Sequence, residues 1–319
     1  MKISVALCTY NGEKYLSGQI DSILNQDFKY NLEIIICDDR STDRTIEILK
    51  NYSNNYPDIF KIFINEKNLG SAKNFEKAIS ICDGDYIFLS DQDDIWHQDK
   101  VAKIIQKFEK NPKIDGIFTN ASLINKESQI YTNLTLWDSI YFLENQLPKP
   151  VDFVDLILRN GNIVTGATLC IKKQVKNIIF PFPKDILHDE WIAKILSLKG
   201  TLSYVNQNLI SYRIHENQQV GVKSINEINR IKHKKEIVLG LTSPKSFQDY
   251  KILLKKKFLK IKELNKIKSN HLNLQKKISE LITKEEQELQ YLHNEIKTKY
   301  ALKYWLFKLI DNLLGKRKK

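Results

Sequence analysis

The feature that most constrains this chain is an alternation in its first 120 residues. Short apolar runs alternate with stretches whose apolar residues recur three and four apart. Residues 3–7, 32–37, 60–64, 86–90 and 116–119 read as strands, and residues 13–24, 43–52, 71–81 and 100–108 read as helices. The first helical stretch, for instance, sets Leu16, Ile20, Ile23 and Leu24 on one face. Repeated strand–helix–strand units give a mostly parallel sheet with helices on both sides. The expected fold class is therefore α/β, a mostly parallel mixed sheet flanked by helices. Ligands of such sheets bind beyond the carboxyl ends of the strands. The polar clusters of this sequence stand at those ends: Thr9-Tyr10-Asn11-Gly12, Asp38-Asp39 and Asp91-Gln92-Asp93-Asp94.

The rhythm loosens after residue 120. Residues 121–165 read as a connecting region, followed by a strand at 167–172, a helix over about 190–198 and a strand at 201–205. From about residue 222 the composition turns to Lys, Leu, Ile, Asn and Glu. Leu274, Ile278, Leu281, Leu289, Leu292 and Ile296 recur at helical steps, which predicts an amphipathic helical tail, either single or a hairpin. The expected division is residues 1–220 and 221–319. Charge follows it: residues 222–319 hold 25 Lys and Arg against 10 Asp and Glu, whereas the rest of the chain is slightly acidic. Cys8, Cys37, Cys82 and Cys170 stand singly in apolar runs, so neither a zinc site nor a disulfide framework is indicated. The N-terminus reads as a strand rather than a signal peptide. No run of about 18 apolar residues predicts a membrane span.

Three carboxylates in four residues, Asp91, Asp93 and Asp94, follow the apolar run at 86–90. Clustered carboxylates repel one another. Hard divalent cations accept oxygen ligands and neutralise phosphates together. An isolated Asp-x-Asp is more often a solvated turn, but the preceding strand and the other polar strand ends favour a site. At this point the chain resembles glycosyltransferase family 2, which has the GT-A fold of nucleotide-diphospho-sugar transferases. The resemblance rests on five segments in order. They are Val5-Ala6-Leu7-Cys8-Thr9-Tyr10-Asn11-Gly12, Ile36-Cys37-Asp38-Asp39-Arg40-Ser41-Thr42-Asp43-Arg44-Thr45, Asn68-Leu69-Gly70-Ser71-Ala72-Lys73-Asn74, Leu89-Ser90-Asp91-Gln92-Asp93-Asp94-Ile95-Trp96 and Leu187-His188-Asp189-Glu190-Trp191. It covers roughly residues 1–220. The Asp-Gln-Asp-Asp-Ile-Trp form is most similar to the bacterial rhamnosyltransferase branch.

The resemblance implies roles. Asp39 would accept a hydrogen bond from a pyrimidine imide N–H, with Thr9 and Tyr10 lining the base pocket. Asp38 is the alternative, or a ribose ligand. Asn11, Asn68 and Lys73 belong to the nucleotide side. Asp91 would meet ribose or metal-bound water, and Asp93 would ligate a divalent Mg2+ or Mn2+. Asp189 would be the base that takes the acceptor proton, with Glu190 its competitor if the register slips by one. The family usually has Glu-Asp where this chain has His188-Asp189. His215 would reach the metal or diphosphate, and Arg213 would stabilise the departing diphosphate.

The implied activity is inverting, metal-dependent transfer of a sugar, dTDP-L-rhamnose being the first choice of donor and a UDP-hexose the second. The acceptor would be a lipid-linked or polymeric saccharide of a bacterial envelope. The protein is expected in the cytoplasm, peripheral at the inner face of the plasma membrane. Residues 300–319 would lie on an anionic membrane surface as an amphipathic helix ending in a basic cluster, or pack on protein, including a second copy as a homodimer. Other classes fit less well. A nucleotidyltransferase lacks its Gly-rich, Arg-containing loop here, and a catalytically dead nucleotide-binding scaffold would have lost a carboxylate. A nucleic-acid-binding protein would explain the basic tail, but no recognition module is present and no nucleic-acid partner is expected.

Overall fold

In the computed structural model the apolar runs pair as the alternation requires. The structure describes residues 1–27, 31–216, 236, 243–270 and 274–306. Strand β1 (Lys2–Thr9) pairs in parallel with β2 (Asn31–Asp38) on one side and β4 (Tyr86–Ser90) on the other, and β2 pairs with β3 (Phe60–Ile64). The crossovers are α1 (Leu16–Leu24), α2 (Thr45–Asn55) and α3 (Ser71–Ile81). Beyond β4 the pairing becomes mixed. The sheet order is β3-β2-β1-β4-β8-β6-β9-β5, with β7 paired to β6. Here β5 is Ile95–Trp96, β6 Gly116–Ile124, β7 Ile130–Thr135, β8 Cys170–Lys172 and β9 Leu202–Arg213. Strand β8 runs antiparallel between β4 and β6, whereas β6 and β9 are parallel. This is a GT-A-like fold.

Burial explains the pattern. Ile3, Val5 and Leu7 of β1 and Ile34 and Ile36 of β2 belong to one apolar cluster with Leu16, Ile20 and Ile23 of α1. Both faces of these strands are covered, so they read as nearly continuous apolar runs. Helix α4 (Lys100–Lys110) turns Val101, Ile104, Ile105 and Phe108 inward. Helix α8 (His188–Lys199) is buried along most of its length and ends at Gly200, whose φ of +77° supplies the left-handed cap.

The region from 121 to 165 is more ordered than its sequence indicates. Strand β6 continues to Ile124 and turns back into β7. Helix α5 (Leu136–Ile140) follows, opened by a capping box in which the Thr135 and Asp138 side chains bond each other's backbone N–H groups. Helix α6 is Phe153–Asn160. Two helices, the short α7 (Lys176–Ile179) and α8, precede β9, which runs to Arg213 rather than stopping near residue 205.

The chain divides into two units. One comprises residues 1–153 and 162–228, the other residues 154–161 and 229–319. The second unit contains α9 (Phe247–Asn270) and α10 (Gln275–Lys299). Tyr250, Leu254, Ile296 and Tyr304 form its apolar cluster. Buried Lys260 is paired there with Asp155 and Glu285. Among the described residues no helix is long and apolar enough to cross a membrane.

Candidate active site

The carboxyl ends of β1, β2, β4, β6 and β9 open onto one cavity of about 930 Å³. Its walls belong to the first unit. Thr9, Tyr10, Asn11, Asp39, Asp91, Asp93, Asp189 and His215 line it. Asp38, Asn68, Lys73 and Arg213 do not line it, and their contacts explain why.

Asp38 is fully buried, and its carboxylate accepts from Thr9 Oγ1 (2.7 Å), the Ser41 N–H (2.8 Å) and Ser41 Oγ (2.6 Å). It ties the ends of β1 and β2 together. Asn11 takes a left-handed backbone (φ +49°), donates its N–H to Ser41 Oγ, and accepts the Thr42 N–H with its side chain. Asp39 accepts from Asn65 Nδ2 (2.8 Å), the Leu69 N–H (2.7 Å) and the Gly70 N–H (2.9 Å). A carboxylate has about four lone-pair sites, so Asp39 retains acceptor capacity toward the cavity while clamping the turn before α3. Gly70 has φ +79°, a conformation suited to glycine. Asn68 accepts the Gly70 N–H, and Lys73 turns to Glu76 and the Phe182 carbonyl.

The metal-motif turn is held from both sides. Gln92 accepts the Tyr10 N–H (2.8 Å) and donates to the Tyr10 carbonyl (2.9 Å), so it joins the ends of β1 and β4. A Cβ on Gly12 would lie 2.3 Å from the Gln92 side chain. His215 Nε2 lies 2.8 Å from Asp93 Oδ2. Arg213 is 4 % exposed and donates to the Asp93 carbonyl (2.7 Å), the Asn125 carbonyl (2.8 Å) and Ser128 Oγ (3.0 Å). Its guanidinium also stacks on Tyr15, 4.3 Å from the ring centre. Asp94 is buried. Its Oδ1 accepts the Arg213 N–H, and its Oδ2 has no partner among the described residues.

The electrostatics of the floor follow from burial. Burial, with Asp93 and then Asp189 nearby, pushes the Asp91 carboxyl up to about 8. Asp94 is raised well above the usual range by burial and by Asp93 and Asp91. Burial pushes fully buried Lys100 down to about 7; its Nζ donates to the Ala167 carbonyl (2.8 Å) and lies over the Trp96 ring. Asp189, the second residue of α8, accepts the Gly166 N–H (2.9 Å) and the Glu190 N–H (2.7 Å), yet burial pushes it up to about 6. Glu190 pairs with Lys194 and does not line the cavity. Among the described residues no group of three or more His, Cys, Asp or Glu is arranged to hold a metal. A pair such as Asp93 and His215 suits an ion whose other ligands are phosphate oxygens and water. The carboxylates beside that pair, Asp91 and Asp94, are buried and crowded, which raises both their pKa values; this oxygen-rich setting is compatible with Mg2+ or Mn2+.

Sequence reading missed Gln92, the stack of Tyr15 on Arg213, and the β6–β7 turn, whose Asn125, Lys126 and Glu127 line the cavity with Tyr131. Gln92 lies inside the recognised motif, between two carboxylates. The turn carries no chemical signature, only proximity created by pairing.

This fold and cavity define the class of nucleotide-diphospho-sugar transferases. Residues 4–157 match glycosyl transferase family 2. An uncharacterized glycosyltransferase of Haemophilus influenzae is 30% identical over 225 residues, covering 69% of this chain and 68% of that protein. The dTDP-rhamnosyl transferase RfbG of Shigella flexneri is 30% identical over 243 residues, 67% of this chain and 73% of that protein. Among solved structures, the mannosyltransferase PcManGT from Pyrobaculum calidifontis, in complex with GDP-Man and Mn2+, matches with a TM-score of 0.51 at 15% identity. That match covers 99% of this chain and 81% of that one. The chain belongs to glycosyltransferase family 2 and is a glycosyltransferase.

Proposed function

We infer that the chain is an inverting, metal-dependent transferase that moves L-rhamnose from dTDP-L-rhamnose to a saccharide acceptor of a bacterial envelope, working at the cytosolic face of the membrane. The observation that carries this reading is the gathering of Asp39, Asp91, Asp93 and Asp189 around one cavity, with His215 against Asp93. The named relative from Shigella flexneri supports the donor. The Mn2+ of the Pyrobaculum complex supports metal use.

On this reading Asp39 directs its remaining acceptor capacity at the nucleobase, with Thr9 and Tyr10 beside it. Asp93 and His215 would hold the metal, and Asp91 would meet ribose or metal-bound water. A divalent ion held there would supply positive charge to offset that of the leaving diphosphate. Asp189 takes the proton from the acceptor hydroxyl on the face opposite the leaving group. Its raised pKa places it near neutral pH, where a general base is most effective. Gly166 and Glu190 fix its orientation through their N–H groups. Arg213, tied to three oxygens, holds the turn that carries Asp93.

The test is a donor panel of dTDP-L-rhamnose, UDP-glucose, UDP-N-acetylglucosamine and GDP-mannose, scored by nucleoside diphosphate release with and without chelator. Release from dTDP-L-rhamnose is expected to lead and to stop with chelator. Asp93→Ala should lower it by about a hundredfold or more, since charge stabilisation of this kind contributes several kcal/mol. Preference for a UDP-hexose would replace the donor assignment. Release that survives both chelator and the substitution would end the metal assignment.

A further inference from the structure

His215 lies beyond the end of β9, which stops at Arg213. Ile214 still donates its N–H to the Ile124 carbonyl (2.8 Å), but His215 is in no strand. Two directional contacts are seen at its imidazole among the described residues. Nε2 lies 2.8 Å from Asp93 Oδ2, and the ring lies against Tyr15, with 5.2 Å between centres and 50° between planes. That spacing falls in the range, about 4.5–7 Å, over which tilted aromatic pairs attract. Tyr15 lines the same cavity, and the proposed reaction gives it no task.

Tyr15 is itself held on two sides. It stands at the start of α1, where its N–H and that of Leu16 both reach the Gly12 carbonyl (3.1 Å), at the end of the segment Thr9-Tyr10-Asn11-Gly12. The Arg213 guanidinium lies over its ring, 4.3 Å from the centre, and Lys14 Nζ lies 4.9 Å from the centre. A guanidinium over an aromatic face is attracted by the ring quadrupole, the more so when water is excluded, and Arg213 is buried. Arg213 is fixed in turn by the Asp93 and Asn125 carbonyls and by Ser128 Oγ, and its backbone N–H is taken by Asp94 Oδ1. The phenol O–H of Tyr15 has no hydrogen-bond partner among the described residues. The ring, not the hydroxyl, makes these contacts. It therefore joins the start of α1 to the segment that carries His215 and, through Arg213, to the turn that carries Asp93.

We propose that Tyr15 is a positioning residue for the metal pair: its ring, pinned by Arg213, sets the His215 imidazole against Asp93. The proposal rests on the proposed function, since it takes Asp93 and His215 to hold a divalent ion. A side chain that orients a metal ligand changes affinity for the metal, typically by about 10–100-fold when it is lost. A side chain that only packs changes stability, and nucleotide binding with and without metal alike.

The experiment measures calorimetric affinity for dTDP and for UDP, each with Mn2+ and with chelator. The ratio of the two affinities is the metal's contribution. Wild type, Tyr15→Leu, Tyr15→Phe and Asp93→Ala are compared, with the melting temperature of each. Tyr15→Leu should lower the ratio by about tenfold or more, while its affinity with chelator stays within about twofold of wild type. Tyr15→Phe keeps the ring and should keep the wild-type ratio. An unchanged ratio in Tyr15→Leu overturns the proposal, and so does a loss of affinity that is as large with chelator as with Mn2+. A ratio as low in Tyr15→Phe as in Tyr15→Leu also overturns it, because the hydroxyl would then be the active part. If Tyr15→Leu does not fold, Tyr15→Gln, which lacks the ring but tolerates water, decides by the same ratio: unchanged overturns the proposal, lowered sustains it. A wild-type protein whose affinity does not rise with Mn2+, or whose ratio survives Asp93→Ala, overturns the metal assignment, and this proposal with it.

Discussion

Asp189 is an acid placed where its charge is disfavoured. Two N–H groups stabilise the carboxylate, but burial outweighs them and leaves it at about 6. A group that must be ionised to act loses activity as it is protonated. Turnover should therefore fall about tenfold per pH unit below about pH 6 and level off above it. Asp189→Asn should abolish that limb, cut transfer by about a hundredfold or more, and leave donor binding nearly intact. A pH–rate profile of wild type and variant, with donor binding measured alongside, checks both parts. If Glu190→Gln proves crippling and Asp189→Asn mild, the base is misassigned by one residue. Arg213 is placed differently. Both are polar residues in motif-like settings, and both are buried. Asp189 lines the cavity, whereas the guanidinium of Arg213 is committed to Asp93, Asn125 and Ser128. Nothing in Ser211-Tyr212-Arg213-Ile214-His215 distinguishes an arginine that meets a ligand from one that ties two turns together.

At the scale of elements, the parallel half of the sheet carries its own polar tie. Glu33 of β2 accepts from Ser4 Oγ (2.6 Å) and the Asp83 N–H (2.7 Å), and pairs with Lys2 and Lys61. Burial would raise its pKa, but the bonds from Lys2, Ser4, Asp83 and Lys61 outweigh that and hold it at about 2. A carboxylate whose folded pKa is depressed stabilises the fold above its unfolded value, about 4.3, and loses that contribution as pH falls toward 2. Glu33→Gln should therefore lower stability at pH 7 by about 1–3 kcal/mol. The gap should close progressively below about pH 4. Denaturant unfolding at both pH values checks it; a gap independent of pH would mean that packing, rather than charge, is what Glu33 supplies. The strands around this tie are legible in the sequence because both their faces are buried and turn residues bound them. Strand β9 is not. Its exposed Asn206 and Gln207 interrupt the apolar run, and its register against β6 shifts nearby, between Thr119 and Ala121. The run therefore reads as ending near residue 205, although the pairing continues to Arg213. The same logic hides β7 and α5, whose order comes from β6 and a capping box rather than from a periodic pattern.

At the scale of the whole chain, the basic tail raises the question of what a sugar transferase does with it. In sequence its apolar residues read as one face, but the structure separates them. Tyr304 is buried with Tyr250 and Ile296 in the helical unit, and Tyr300 packs against the same cluster. Leu302, Trp305 and Leu306 are exposed, at 72 %, 58 % and 45 %. Trp305 and Leu306 lie three and four residues beyond Leu302, so they share a side of that turn. Phe307, Leu309, Leu314, Gly315 and the cations from Lys316 to Lys319 lie outside the described residues. We propose that an exposed Leu-Trp-Leu side, followed in sequence by Lys316-Arg317-Lys318-Lys319, meets an anionic membrane surface, where the apolar side would insert and each cation would contribute about 1 kcal/mol. Removing residues 307–319 spares Tyr300 and Tyr304, so it should leave the melting temperature unchanged while lowering binding to phosphatidylserine-containing vesicles by about tenfold or more. Trp305→Ala in the full chain should weaken the same binding with little effect on its salt dependence, whereas the truncation should largely remove that dependence. Vesicle sedimentation at low salt and at about 0.5 M salt, where charge attraction is screened, with sedimentation velocity on the free protein, separates the outcomes. A wild-type protein that ignores anionic vesicles at low salt but self-associates, and becomes a monomer on truncation, would assign the tail to a second copy of the chain instead.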